Sequence, residues 1–237
     1  MKRTCPLLAA LLLLTPGFAA DEVKQWNIRI ELQIVAIPDE IAVPLVAELM
    51  DEQKIEPAYA KIQELLTKGT AKLIGWPIVT THSGEKAYVE AVDEIRYATE
   101  YDPPTVSFTP GVSGSDAVKI NPRADVTLFE AIPVSFETRN AGVTLEVEPV
   151  LSPDARMIAL SLVPQHVRLK GFNKITVEKP ATGGKVVVAQ PEFDTMKVTT
   201  SLTLRNGQRV LMGVFRVSDP AKHIEFFILK AEAKKVE

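Results

Sequence analysis

The sequence predicts an α+β fold, mainly β, in which an antiparallel β domain follows one strand and two short helices. Apolar residues alternate with polar ones at residues 23–38, recur at helical spacing as far as Gly69, and alternate again from Thr70 onward. These changes of period predict an N-terminal strand and helix segment at residues 21–73 and a β domain at residues 74–237.

Residues 1–20 form a separate leader. Lys2 and Arg3 precede an apolar run from Leu7 to Leu14, and small residues follow it. This order is typical of a secretory signal peptide, cleaved here after Ala19 or Ala20. The run is too short to span a membrane, which takes about 20 residues. The leader therefore predicts export.

The N-terminal segment begins with the strand at residues 23–38. A first helix is expected at residues 39–50, capped by Asp39 and bent or delayed by Pro44. A second helix is expected to start near Pro57 and to end before Gly69.

The β domain reads as a series of strands separated by turn signals. Strands are predicted at residues 71–81, 86–101, 143–151, 156–169, 185–189, 194–205, 209–217 and 223–233. The turn signals are Ser83-Gly84, Ser152-Pro153-Asp154, Gly183-Gly184, Asn206-Gly207 and Asp219-Pro220.

Two features of this series carry specific predictions. Asn206-Gly207 predicts a hairpin with a type I′ turn, because both residues tolerate positive φ. Gly213, in the middle of the following strand, predicts a bulge or a close backbone approach. Residues 102–126, with four prolines, predict a long extended surface loop that is either functional or mobile.

Composition excludes several classes of function. The chain has 46% hydrophobic residues and a net charge of −3, so it is globular and has no basic footprint for nucleic acid. Cys5, the only cysteine, lies ahead of the apolar run, so neither a disulfide nor a lipid anchor is expected. His82, His166 and His223 lack metal-ligand spacing, so no metal site is predicted.

Searches for catalytic motifs yield no catalytic or cofactor-binding residue. Gly183-Gly184-Lys185 lacks the hydroxyl residue and the earlier glycine of a phosphate-binding loop. The serine between Gly111 and Gly114 lacks the spacing of a nucleophile elbow. A hydrolase on a β scaffold is a third hypothesis, supported only by the acidic surplus. We therefore expect no enzyme, no cofactor and no small-molecule substrate.

Two blocks of sequence place glycine, proline and apolar residues at characteristic spacings. The first block, Ala141–Pro149, has Gly142, Val143, Leu145, Val147 and Pro149 at these positions. It resembles the pattern V-G-(V/I)-x-L-x-V-x-P of the C-terminal β domain of secretins, the outer-membrane channel proteins of type II and type III secretion, type IV pilus assembly and phage export. A strand ending near Pro164 is expected to follow this block.

The second block, residues 191–213, resembles the later family motif that ends in a strand, a D/N-G turn and a return strand with paired glycines. Its matching positions include Pro191, Val198, Thr200, Asn206, Gly207 and Gly213. With the upstream stretch around residues 78–97, the resemblance extends over about residues 74–230. It implies a secretin-like fold, a homo-oligomer or assembly with other secretion or pilus components, and outer-membrane association.

Two functions are compatible with this resemblance. The first is an exported component of an outer-membrane secretion or pilus-assembly complex. The alternative is a soluble periplasmic interaction module on the same fold, without pore activity. Departures from the family pattern motivate the alternative, since Val214 and Phe215 replace the second glycine and the leucine of the motif, and the proline-rich loop lies where a gate hairpin is expected.

Overall fold

The computed structural model describes residues 26–102, 106–108, 126–128, 132–178, 185–217 and 222–236. The described part contains two helices and twelve strands. Their bounds are β1 Trp26–Pro38, α1 Asp39–Leu49, α2 Ile55–Thr67, β2 Lys72–Gly75, β3 Ile78–His82, β4 Ala87–Asp102, β5 Val106–Phe108, β6 Val126–Leu128, β7 Ile132–Leu151, β8 Met157–Glu178, β9 Lys185–Lys197, β10 Thr200–Arg205, β11 Arg209–Val217 and β12 His223–Lys235.

Two five-stranded antiparallel sheets and one helical layer contain all of these elements except β5 and β6, which form a separate two-stranded sheet. The first sheet has the order β11-β12-β1, and β2 and β3 pair one after the other along the far side of β1. The second sheet has the order β10-β8-β7-β4, and β9 continues along β8 beyond β10. The fold is α+β and mainly β, as the sequence predicts.

The central strand β1 shows how alternation builds the three layers. Ile28, Ile30, Leu32 and Ile34 belong to the core between the two sheets. Val35 and Ile37 point to the other side and pack with the helices. Because β1 pairs with β12 along its whole length, the N-terminal segment and the β domain share one sheet.

The helices form as predicted, but the expected cap on the first is wrong. The residue before α1 is Pro38, and no side chain caps the helix. Asp39 instead accepts hydrogen bonds from the Arg216 guanidinium of β11, at 2.8 Å from Nε and 2.7 Å from Nη2. Asp39 thus ties the helical layer to the first sheet.

Two of the predicted strands differ from the structure at a proline. The strand expected at 71–81 is split at Trp76-Pro77 into β2 and β3. The strand expected to end near Pro164 instead continues to Glu178, so that expectation is wrong. Pro164 has no N–H to donate. On either side of it, β9 and β10 pair with β8 in the same register, and the gap between them at 198–199 lies opposite this proline.

The predicted hairpin at Asn206-Gly207 is wrong, although the turn is present. β10 pairs with β8 in the second sheet, whereas β11 pairs with β12 in the first. The Gln208 N–H donates to the Arg205 carbonyl at 2.9 Å, and Gly207 alone of the central pair has a positive φ, +84°, so the turn is not type I′. The turn carries the chain from one sheet to the other.

The predicted bulge at Gly213 is confirmed. The β11–β12 register shifts between Leu211 and Gly213, and a Cβ on Gly213 would lie 2.9 Å from Val198 Cγ2. Turns at Ser83-Gly84 and at residues 152–154 also form where predicted.

Some predicted features lie outside the described residues. They are the signal peptide at 1–20, the Gly183-Gly184 and Asp219-Pro220 turns, and most of the proline-rich loop at 102–126. Within that loop, β5 is described, and it pairs antiparallel with β6 at the end of the loop, with Val106 opposite Leu128.

Candidate functional site at the fork of the second sheet

The first motif block lies in β7, where it builds the wall between the two sheets. Val143, Leu145 and Val147 point inward and belong to the core, because alternate residues of a strand face the same side. Pro149 is also buried, and its carbonyl accepts a hydrogen bond from the Gly84 N–H at 2.7 Å. These residues hold β7 in place beside β8.

The second sheet divides at Gly142, the first residue of that motif. Gly142 pairs with Val167 of β8, and before Gly142 β7 pairs only with β4. Gly142 has φ +142°, and a Cβ there would lie 2.2 Å from the carbonyl oxygen of Ala91. A backbone oxygen cannot rotate away like a side chain, so this position requires glycine.

Two β ribbons extend from the fork. Ribbon 1 consists of residues 93–102 of β4 and 132–141 of β7. Ribbon 2 consists of residues 168–178 of β8 and 185–195 of β9. Pro191, from the second motif block, lies in ribbon 2 opposite Phe172, on a strand that pairs on one side only, where proline is tolerated.

Side chains connect the ribbons near their base. The Arg139 guanidinium lies over the Phe193 ring, 4.6 Å from its centroid, and donates to Thr195 Oγ1 at 3.0 Å. Tyr97 meets the same phenylalanine with ring centroids 6.4 Å apart. Gln190 Nε2 donates to the Ala98 carbonyl oxygen at 3.1 Å, beside the β4 bulge between Ala98 and Glu100.

The rest of the second motif block joins the two sheets. Val198 packs on the core, its N–H donates to the Pro164 carbonyl at 3.1 Å, and Thr200 begins β10. The Asn206 amide nitrogen donates to the carbonyls of Ala155 and Ala233, both at 3.2 Å, and its oxygen accepts from the Ala233 N–H at 2.8 Å. The side chain of Asn206 thus bonds to strand β12 and to the turn before β8.

A polar cluster lies at the base of the fork. It forms where the inward-facing residues of β8 and β12 change from apolar to polar. Glu225 is 1% exposed and His166 is 7% exposed, and His166 Nδ1 lies 2.8 Å from Glu225 Oε2. His223 Nε2 lies 3.4 Å from the other oxygen of Glu225. These three residues, the polar cluster, join the two sheets.

Electrostatics within this cluster favour a charged glutamate. Burial raises the pKa of the Glu225 carboxyl, but the hydrogen bond and charge of His166, with smaller effects from His223, outweigh burial. The net result is a pKa below the ordinary value of glutamate. A cleft of about 530 Å³ opens beside the cluster, bordered also by Arg168, which pairs with Asp194 at 2.5 Å.

Motif reasoning missed the polar cluster, although a signal for it is present in the sequence. His166 follows Ile158, Leu160 and Leu162 at even spacing in β8, and Glu225 precedes Phe227 and Leu229 at even spacing in β12. A polar residue that continues an apolar row points into the space between the two sheets, like the apolar residues before it. Spacing alone, however, could not show that β8 of one sheet faces β12 of the other.

The exposed apolar side chains of the second sheet are concentrated on the ribbons. Ile132, Val134 and Phe136 alternate along ribbon 1, and Phe172 and Ile175 lie on ribbon 2, all about half exposed. We name these five residues the apolar band.

In the described ranges, no cluster of His, Cys, Asp and Glu could hold a metal, and neither helix is long and apolar enough to cross a membrane.

Comparison with known proteins identifies the family. The secretin family model, described as bacterial type II and III secretion system protein, matches residues 65–218. No curated protein sequence matches this chain.

Solved structures to which this chain is similar include three secretins. The type II secretin GspD of enteropathogenic Escherichia coli is 11% identical, with a TM-score of 0.42, and the match covers 89% of this chain and 70% of GspD. The V. cholerae type IV competence pilus secretin PilQ is 15% identical, with a TM-score of 0.35 and coverage of 89% and 58%. The Salmonella SPI-1 type III secretion injectisome secretin InvG is 14% identical, with a TM-score of 0.36 and coverage of 90% and 63%.

The chain thus spans between 58% and 70% of the lengths of these three structures. The family model itself covers both motif blocks and the whole fork, from β4 to β11, and more than half of the chain. On this match, the chain belongs to the secretin family of bacterial type II and III secretion system proteins.

Proposed function

We propose that this secretin-family chain is an exported component of an outer-membrane secretion or pilus-assembly complex, and that it works as a homo-oligomer. The observation that carries the proposal is the pair of open edges of the second sheet. Among the described residues, β4 has a backbone partner only on its β7 side and β9 only on its β8 side.

Open edges on opposite sides of one sheet favour association between copies. An unpaired strand edge presents a row of N–H and C=O groups that another strand can pair with. Joining the β4 edge of one copy to the β9 edge of the next is a head-to-tail contact, which closes into a ring when the rotation between copies allows it. The role is structural, and no catalytic step is part of the proposal.

The apolar band supports the outer-membrane part of the proposal. Its residues are about half exposed on a sheet whose remaining outward side chains include many charged ones. Exposed apolar side chains that recur along one face of a strand, as Ile132, Val134 and Phe136 do, are typical of a site of contact with protein or membrane. The leader at residues 1–20 supplies the export that this location requires.

The test combines particle size with cell fractionation. The purified chain in detergent should give a multiple of the monomer mass by light scattering and closed rings by electron microscopy, and it should be recovered with outer membranes. A chain that remains monomeric in detergent and is released with periplasmic contents would overturn the proposal and support the soluble interaction module.

A matched pair of variants ties the location to the apolar band. Val134→Asp places a charge in the band, whereas Val43→Asp places one on α1, outside the second sheet; these valines are 50% and 62% exposed. Val134→Asp should reduce recovery with outer membranes, and Val43→Asp should not. An equal effect of both variants would contradict the assignment of the band.

A further inference from the structure

The contact between the two ribbons lies on the strands whose edges the proposed assembly needs. Tyr97 and Ala98 belong to β4, whereas Gln190, Phe193 and Thr195 belong to β9. Ala98 is only 8% exposed, while Thr99 and Glu100 beside it are exposed, so β9 covers β4 at this point. The two edge strands of one copy are therefore in contact with each other at Tyr97 and Ala98.

The contact between the described parts of the ribbons is made by side chains such as those of Gln190 and Arg139, and no backbone ladder contributes to it. The Gln190 amide donates a hydrogen bond to a backbone carbonyl of β4. Arg139 lies over the ring of Phe193 and donates a hydrogen bond to the hydroxyl of Thr195. Over the described lengths of both ribbons, the backbone of β4 pairs only with β7 and that of β9 only with β8, so no backbone ladder joins the ribbons there. A neighbouring copy would instead offer each edge a run of backbone hydrogen bonds.

We propose that the ribbon contact is an autoinhibitory latch, which keeps the β4 and β9 edges of a single copy together and must open before copies associate. This inference rests on the proposed homo-oligomer. The β4 bulge beside Ala98 adds to the protection, since bulges and coverings are the means by which sheets block edge-to-edge association. Release of the latch frees both edges at once.

Variants that weaken the latch should accelerate assembly. Arg139→Ala removes the contacts with Phe193 and Thr195, and Gln190→Ala removes the bond to Ala98. The matched control is Arg96→Ala, because Arg96 lies over Phe136 at the same 4.6 Å but within ribbon 1. Each latch variant should shorten the half-time of oligomer formation by roughly two- to five-fold, the range expected for one such contact, and the control should leave it unchanged.

A covalent latch should have the opposite effect. Cys5 is the only native cysteine, so in a full chain carrying Cys5→Ser the pair Ala98→Cys and Gln190→Cys can be joined selectively by a short cleavable thiol cross-linker. The cross-linked chain should remain monomeric under conditions in which the wild type assembles. Cleavage of the linker should restore assembly.

In one outcome, the wild type forms oligomers at a rate that neither the latch variants nor the cross-link changes. That result would overturn the latch and leave the proposed function intact. If neither the wild type nor the latch variants associate, the homo-oligomer and the latch as a control on it both fail. Hydrogen exchange of the monomer tests the contact itself: Arg139→Ala should raise exchange at residues 96–100 relative to Arg96→Ala, and equal exchange would overturn the latch.

Discussion

The sandwich between the two sheets and the ribbons beyond the fork differ in what holds them together. The sandwich contains rows of fully buried side chains, such as Leu145 of β7 and Phe227 of β12. The ribbons present half-exposed apolar residues to solvent and meet through a few side-chain contacts, such as Arg139 on Phe193. The sandwich is stabilised within one chain, whereas the ribbons carry surface that one chain does not cover.

This difference separates stability from assembly. Burial of apolar area is the main source of folding free energy, so residues of the sandwich should determine whether the chain folds. Residues of the ribbons should change association between copies with little effect on folding. Substitutions at the fork, at the polar cluster and on the apolar band test this division in order of decreasing effect.

The largest effect is expected at Gly142, where the sandwich ends and the ribbons begin. Gly142→Ala places a Cβ 2.2 Å from the Ala91 carbonyl oxygen at a positive φ. Overpacking and backbone strain together should lower the free energy of unfolding by about 4 kcal/mol. Urea unfolding measures the change.

Gly171→Ala is the matched control, because Gly171 also has a positive φ, +157°, but no atom lies within 4 Å of the position that a Cβ would take there. The substitution should cost about 1 to 2 kcal/mol, the strain alone. Equal costs at the two glycines would show that close approach to β4 does not define the fork.

A smaller effect is expected at the polar cluster, which fastens the two sheets to each other. His166→Ala leaves the buried Glu225 carboxylate without its 2.8 Å partner. Removing one member of a buried pair should cost about 3 kcal/mol at pH 7. His82→Ala is the control, since His82 is exposed and its ring contacts a backbone carbonyl, that of Trp26.

The same cluster predicts the dependence of stability on pH. Because the folded pKa of Glu225 is lowered, its carboxylate stabilises the fold above the unfolded pKa of about 4.3, and this contribution is lost as the pH falls through the lower folded value. In His166→Ala the loss of unfolding free energy on acidification should be smaller, because burial raises the pKa of Glu225 and His166 no longer lowers it. Urea unfolding at about pH 7 and about pH 3, on either side of that window, measures it. Equal losses in wild type and variant would contradict the assignment.

Periodicity predicted the buried face of individual strands well, because alternation of apolar residues in a strand reflects the burial of one of its faces. Alternation placed Val143, Leu145 and Val147 on one face, and these residues are buried together. The turn at residues 152–154 followed from its residue types, since serine, proline and aspartate each favour turn conformations. The isolated glycine at 213 predicted a bulge, since a residue without Cβ permits the close approach of Val198.

Pairing partners could not be predicted in the same way. The arms around Asn206-Gly207 bury one face each, and this pattern fits two strands of one sheet as well as two strands of facing sheets. The amide contacts of Asn206 with Ala155 and Ala233, which hold the crossing, depend on residues distant in sequence. The fork was missed for a related reason, because alternation along β7 and β8 gives the face of each side chain but not the strand that lies beside it.

The smallest effect on folding is expected on the apolar band, at Phe136. This side chain is 46% exposed and its main polar contact is Arg96 over its ring. Phe136→Ser should therefore lower the free energy of unfolding by only about 1 kcal/mol. Phe227→Ala, at a fully buried position of the sandwich, should lower it by about 4 kcal/mol in the same urea titration.

The two phenylalanines thus test the division directly, because they carry the same side chain in the two regions. If Phe136→Ser destabilises the monomer as much as Phe227→Ala, the ribbons belong to the folding core and their exposed face is not reserved for association. If Phe136→Ser leaves folding nearly unchanged but reduces recovery with outer membranes, the apolar surface of the ribbons acts only after folding. The presence of apolar side chains on this exposed face, where threonine would maintain the strand equally well, is then explained by the assembled complex.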